Sequence, residues 1–200
     1  MMKTYTNLEE LYNELIKSEC SNGKRFAIDF ANFISTVNHN IVVETGSGVS
    51  TLFLLRILKN FKLYSVDLEP WTCRIEYPNY KFIEGIKTED CLYDLFVETG
   101  PWDVFLHDSD HEVRCMTYEL ELAYGYVKPG GIIACDDIVW DTQFAWNRFI
   151  NKYNLTYTKI GSLGIIKKPL DVLVVSDPFE HWKNCIQLGI QAEIERNKIV

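Results

Sequence analysis

Apolar and polar positions along this 200-residue chain fall into two alternating kinds of segment. Short β-branched or aromatic runs occur at Ile41-Val42-Val43, Lys62 to Val66, Tyr80 to Glu84, Asp103 to His107 and Ile132 to Cys135. Between them lie longer stretches with helical spacing: about Val49 to Leu58, Thr88 to Val97 with Thr88 as its cap, and a segment in which Val113, Met116, Leu120, Ala123 and Val127 recur at three- and four-residue steps, predicting one core-facing side. Strand and helix in alternation predict a parallel sheet covered on both faces. Ahead of it, Leu8, Leu11, Leu15 and Ile16 predict a helix capped by Thr6 or Asn7 and ended by Ser21-Asn22-Gly23, and a second helix is expected from about Lys24 to Thr36. Lys128-Pro129-Gly130-Gly131 reads as a turn. Leu155 to Ile160, Gly161 to Gly164 and Ile165 to Lys167 read as a β-hairpin that supplies an antiparallel edge. Asp171 to Val175 is expected to be a short strand, and Pro178 to about Asn197 a helix with Phe179, Trp182, Ile186, Ile190 and Ile194 on a face that packs on the domain or on a second subunit.

Polar side chains with chemical potential gather where these strands end. The first strand runs into Glu44-Thr45-Gly46-Ser47-Gly48, where Gly46 and Gly48 allow positive φ and let a ligand approach the backbone, beside the hydroxyls of Ser50 and Thr51 and the free N–H groups of a helix N-terminus. The second ends at Asp67, 23 residues after Glu44, a carboxylate placed to accept hydrogen bonds from both hydroxyls of a ribose. A nucleoside-containing cofactor is implied, and NAD and S-adenosylmethionine both satisfy the pattern. Trp71 either stacks on an adenine or packs on its own domain. The fourth strand is followed by Asp108, Asp110 and His111, and the fifth by Asp136-Asp137. With the two strands adjacent, Asp108 approaches the acidic pair. Carboxylates converging there repel unless a cation neutralises them, and all-oxygen ligation favours Mg²⁺, Mn²⁺ or Ca²⁺ over zinc. The competing role is helix capping, by Asp110 near His111 and by Asp137 or Asp141 ahead of Phe144. His107 reads as a satisfied strand histidine, a group supporting the site from behind, or an alternative base. Trp140 and Trp146 offer an acceptor wall, against core packing for Trp146.

Composition narrows the field. A 47% hydrophobic content supports one core over residues 1–200, with N-terminal helices at 1–38, a central unit at 39–168 and a C-terminal strand and helix at 169–200. A net charge of −8 and no basic run argue against nucleic acid and anionic membranes as partners and leave a small molecule. No apolar run reaches membrane-spanning length, and the N-terminus lacks an apolar leader core, so a cytoplasmic location is expected. The six cysteines, at 20, 73, 91, 115, 135 and 185, form no Cys-x-x-Cys pair and read as reduced structural thiols.

Taken together, Glu44-Thr45-Gly46-Ser47-Gly48, Asp67, Asp108-Ser109-Asp110-His111 and Pro129-Gly130-Gly131 leading to Asp136-Asp137 resemble class I S-adenosylmethionine-dependent methyltransferases over about Ile41 to Ile166. Within that class they are similar to metal-dependent O-methyltransferases, a group with catechol-type and sugar-directed members. The resemblance implies a Rossmann-like α/β fold: an open parallel sheet with an antiparallel edge hairpin and helices on both faces. It implies S-adenosylmethionine and a divalent metal as cofactors, with Glu44, Gly46 and Gly48 (and Ser47 and Ser50 beside them) on the methionine side, Asp67 on the ribose, and Asp108, Asp136 and Asp137 on the metal. His111 becomes the first choice of general base and Asp110 the second. Three departures stand out: Ser50 replaces a third glycine, Val113 stands where an aromatic is common, and His107 precedes the first acid where an aliphatic is usual. The competing readings are an NAD-dependent oxidoreductase, which leaves the second set of acids unexplained, a non-catalytic binding module, and a metal-dependent hydrolase, which usually carries more histidines.

Overall fold

The computed structural model describes residues 3–5, 29–35, 39–58, 60–68, 73–75, 77–84, 87–139 and 142–199. In chain order the described elements are β1 (Lys3–Tyr5), a helix over 29–35 (α1), β2 (Ile41–Thr45), α2 (Val49–Ile57), β3 (Lys62–Asp67), β4 (Cys73–Ile75), β5 (Tyr80–Glu84), α3 (Thr88–Thr99), β6 (Trp102–His107), α4 (Val113–Tyr126), β7 (Val127–Cys135), α5 (Gln143–Tyr153), β8 (Thr158–Ile160), β9 (Leu163–Lys167) and α6 (Pro178–Asn197). Seven strands form one sheet in the order β5-β3-β2-β6-β7-β9-β8, and β1 pairs separately with β4. Strands β5 to β7 run parallel, and β9 and β8 close that side antiparallel. This is the expected Rossmann-like architecture. The expected first helix lies outside the described residues, and α1 falls within the span expected for the second.

Alternation along each strand separates two cores. Val43, Tyr64, Val66, Phe105 and Ile133 point to one face, under α3 to α6. Val42, Leu63, Val104, Leu106, Ile132 and Ala134 point to the other, under α1 and α2. Parallel strands need this double cover, and each fully buried large apolar side chain contributes ~1.5–3 kcal/mol.

The chain departs from sequence expectation at five places. Thr88 is the first residue of α3 rather than its cap, and the N-cap is Lys87. Helix α4 is buried on nearly every side from Met116 to Tyr126 rather than on one face, because α6 lies across it. That contact is backbone-close: a Cβ on Gly189 of α6 would sit 2.7 Å from the Arg114 carbonyl oxygen, and Tyr126 donates to the Pro178 carbonyl at 2.9 Å. Lys128 to Gly131 form no separate turn but belong to β7, which leaves α4 directly and shifts register opposite Trp102 and Val104, with Gly130 at φ +77°. Asp171 to Val175 form no strand. The β1–β4 pair carried no signal in the sequence.

The register aligns the candidate chemistry. Thr45 pairs with Val66 and with His107, and His107 pairs with Cys135. The next residue on each strand therefore places Gly46, Asp67, Asp108 and Asp136 at one level, at the carboxyl ends of β2, β3, β6 and β7. The chain builds outward from β2 through β3 to β5, then returns to β2's other side with β6, so that level is the switch point where open α/β sheets bind ligands.

Candidate active site

The glycine turn is shaped by its neighbour strand. Gly46 has φ +80°, its N–H donates to the Val66 carbonyl at 2.8 Å, and a Cβ there would lie 1.9 Å from the carbonyl oxygen of Asp108. Only glycine fits. Gly48 does not use the positive φ open to it: its φ of −178° is extended backbone, and its N–H donates to Thr51 Oγ1 at 2.9 Å. Ser47 turns toward β3, where its N–H and hydroxyl both donate to Asp67 Oδ2, at 2.9 and 2.7 Å. Glu44 is fully buried behind this turn. Its Oε1 accepts from Thr51 at 2.5 Å and from Ser65, while Oε2 is buried without a hydrogen-bond partner among the described residues. Burial pushes this carboxyl from the usual 4.5 up to about 7, against the hydrogen bonds that favour its charged form.

The second set of acids sits across the turn. Asp108 N–H donates to the Thr45 carbonyl at 2.9 Å, and its Oδ2 accepts from Ser50 at 3.1 Å. Burial, then the charges of Asp136 and Glu44, hold the Asp108 carboxyl well above its ordinary range. Asp136 N–H donates to the His107 carbonyl at 2.9 Å and Oδ1 accepts from Ser162 at 2.7 Å; burial raises this carboxyl too. Asp137 takes φ +50°, and its Oδ2 lies 3.6 Å from His111 Nε2, so His111 bridges from the loop after β6 to the end of β7. Asp110 Oδ1 accepts from the Glu112 N–H at 3.2 Å, a local turn rather than a cap of α4, whose N-cap is Glu112. Asp137 caps no helix with its side chain either: its carbonyl accepts from Thr142, the N-cap of α5.

A cavity of about 560 Å³ opens at this level, lined among others by Gly46, Ser47, Asp67, Asp108 and Asp110, in the range of small-molecule sites. Glu44, Gly48, Ser50, His111, Asp136 and Asp137 adjoin it without lining it, and Trp71 and Trp140 lie outside the described residues. Trp146 is fully buried against Gly164 and forms no acceptor wall. The cavity is also lined by residues to which the sequence reading assigned no place in a site: Lys87, Thr88, Glu89, Arg114 and Cys115. Arg114 grips Glu89 with two hydrogen bonds, at 3.2 and 3.1 Å.

Behind that wall lies a second feature absent from the sequence reading. Glu119 is fully buried, one of its oxygens accepting from Thr45 and facing His107 Nδ1 at 2.7 Å, the other accepting from Ser109 at 3.0 Å and Cys115 at 3.3 Å. Burial acts to raise its carboxyl, but the adjacent His107 ring and the hydrogen bonds from His107 and Thr45 prevail and hold it below the ordinary range. His107 is thus a partnered strand histidine, its ring 6.1 Å and edge-to-face from that of His111.

The donor set suits a hard divalent cation in kind: three carboxylates, two of them raised by burial and mutual charge, stand at adjacent strand ends. Among the described residues no three metal-capable side chains close into a ligand set. For a nucleoside cofactor the fit is more direct, with Asp67 fixed by Ser47 on the wall of a cavity of suitable size.

Known proteins resemble the chain over part of its sequence and in its fold. Residues 43–138 match a family model described as a methyltransferase domain, and no curated protein sequence matches the chain. MycE, a methyltransferase of the mycinamycin biosynthetic pathway solved with Mg and SAH, matches at a TM-score of 0.58 and 15% identity over 84% of this chain and 51% of its own. The chain thus spans about half of MycE. The O-methyltransferase from Bacillus cereus solved with SAH matches at 0.54 and 14% identity, over 80% of this chain and 90% of its own. The O-methyltransferase TomG from Streptomyces achromogenes, solved with SAM, matches at 0.51 and 13% identity, over 75% and 81%. At such identities these likenesses speak for the fold. The family match spans the glycine turn, Asp67 and both acidic strand ends. Residues 43–138 are thus similar to a methyltransferase domain, carried on a Rossmann-like sheet.

Proposed function

We propose that this chain transfers a methyl group from S-adenosylmethionine to a hydroxyl oxygen of a small molecule, assisted by a divalent cation. The observation that carries the reading is the alignment of Gly46, Asp67, Asp108 and Asp136 at one level of the sheet, around a cavity at the switch point. Charge supports it as well. The described lining holds Asp67, Glu89, Asp108, Asp110 and Glu112 against Lys87 and Arg114, and Glu89 already engages Arg114. Such a wall favours a sulfonium and an ammonium, and disfavours the pyrophosphate of a nicotinamide dinucleotide.

In this reading Asp67 holds the ribose, and Gly46 and Ser47 present backbone and hydroxyl to the cofactor. Glu44, Gly48 and Ser50 fix the turn from behind through Thr51, Ser65 and Asp108. Asp108, Asp136 and Asp137 would hold the cation, which supplies a Lewis acid that lowers the pKa of an acceptor hydroxyl. MycE, crystallised with Mg, supports that assignment. His111 is the base: Asp137 faces its Nε2 at 3.6 Å, whereas Asp110 is engaged by the Glu112 N–H. As the acceptor O–H proton passes to His111, the O–CH₃ bond forms and the S–CH₃ bond breaks, leaving a methyl ether and S-adenosylhomocysteine. The protein's remaining contribution is alignment.

Isothermal titration of S-adenosylhomocysteine into metal-stripped protein, repeated with Mg²⁺ and with Asp108→Ala, tests both parts. Micromolar binding with a separate Mg²⁺ signal lost in the variant is expected. Cofactor binding with no metal signal would remove the cation from the mechanism, and absence of binding would overturn methyl transfer.

A further inference from the structure

The Glu119 carboxylate ties two groups of residues together from within the core. Its Oε2 accepts from Thr45 at the end of β2 and meets His107 at the end of β6. Its Oε1 accepts from Ser109 and Cys115, both on the cavity wall. The side chain is fully buried, so water does not compete for these bonds. Ser109 also touches the glycine turn: a Cβ on Gly46 would come within 3.0 Å of the Ser109 nitrogen. A displacement of Ser109 is therefore felt at Asp108 on one side and Gly46 on the other.

We propose that Glu119 is a positioning residue for the cofactor cavity: one carboxylate oxygen grips the strand ends, and the other sets the loop from Asp108 to His111 against them. The proposal rests on the methyl-transfer reading for the identity of the ligand. It predicts that the two oxygens do separable work, the Thr45 side serving stability and the Ser109 side serving affinity. Outer partners that orient binding groups typically carry 10–100-fold effects on the function they support.

The test uses S-adenosylhomocysteine as probe, with its affinity measured by titration and thermal stability measured alongside, on Glu119→Gln, Thr45→Val and Ser109→Ala. Thr45→Val is expected to lower the melting temperature while keeping affinity within about twofold. Ser109→Ala is expected to lose affinity ~10-fold with little change in melting temperature, and Glu119→Gln to lose both. Should Glu119→Gln fail to fold, the contrast between the two single-bond variants still decides. Wild-type affinity in Ser109→Ala would overturn the positioning role while leaving methyl transfer intact. Failure of the wild-type protein itself to bind would overturn both.

Discussion

Gly46→Ala offers a perturbation whose cost can be worked from the backbone. Two effects add. A residue with a Cβ at φ +80° costs ~1–2 kcal/mol in left-handed backbone strain. The new methyl would also meet the Asp108 carbonyl oxygen at 1.9 Å and its carbon at 2.5 Å, backbone atoms of the adjoining strand end that cannot swing aside as a flexible side chain does. Forcing that separation adds the ~1–3 kcal/mol of an overpacked site, for a total of ~2–5 kcal/mol. Gly100→Ala is the internal control. Gly100 has φ +73° and ψ −164°, a backbone region almost confined to glycine, with nothing within 4 Å of where its methyl would go, so the variant should show the strain alone, ~1–3 kcal/mol. Urea unfolding of wild type and both variants gives the two differences directly. Titration with S-adenosylhomocysteine should show binding kept in Gly100→Ala and lost in Gly46→Ala, because the displaced backbone belongs to the cavity. Equal destabilisation of the two variants within about 0.5 kcal/mol, with binding kept in both, would refute the close approach and its role in shaping the cavity.

Three further outcomes are expected. With its carboxyl raised to about 7, folded Glu44 holds a proton that the unfolded chain releases near 4.5. Stability of the ligand-free protein should therefore fall by ~3 kcal/mol from this group as pH rises between those values, and Glu44→Gln should remove that slope; parallel stability curves for the two proteins would contradict it. Lys168 is buried, and its ammonium donates to the carbonyls of Val127 at 2.8 Å and Leu173 at 3.2 Å. Lys168→Met should cost ~2–4 kcal/mol at an unchanged urea m-value, and a loss under ~0.5 kcal/mol would show that the two carbonyls need no donor. Gly164→Ala would press a methyl to 2.5 Å from Trp146 Cζ2, costing ~1–3 kcal/mol. The double variant with Trp146→Phe should be more stable than the sum of the single effects, and strict additivity would count against that contact.

The parallel sheet was legible in sequence because its strands are short, β-branched and separated by helical spacing, and because each chemical residue falls where a strand stops. Register then did the rest: Asp108 and Asp136 meet at one level because His107 pairs with Cys135. The hairpin and α6 were legible for similar reasons, with Gly161-Ser162 turning the first and Asp177 capping the second. What escaped lies in helix α4. Glu119 and Glu121 stand in Tyr118-Glu119-Leu120-Glu121, a run that reads as a helix with one solvated face, yet both are buried. No local pattern announces that α6 will cover the second face, or that Thr45, His107 and Ser109 will arrive to satisfy Glu119. The one available hint was His107, a polar residue inside an apolar strand, which called for a buried partner. At Gly48 the Gly-x-Gly pattern left the backbone conformation open, and the helix start needs only extended backbone there.

The central place of β2 in the sheet has a consequence for how the molecule comes into being. β2, α2, β3 and β5 can pair as soon as they are synthesised, but the other side of β2 waits for β6. The hydrogen bond from Ser50 to Asp108 closes 58 residues of chain, and that from Thr45 to Glu119 closes 74. Until then the strand that ends buried in the middle of the sheet is an edge, with a row of unpaired backbone groups open to any extended segment. Folding speed at this step is set by chain closure rather than by local propensity. The interval in which a nascent chain is most exposed to mispairing therefore ends at the same event that builds its cavity, so ligand binding reports that the sheet has closed.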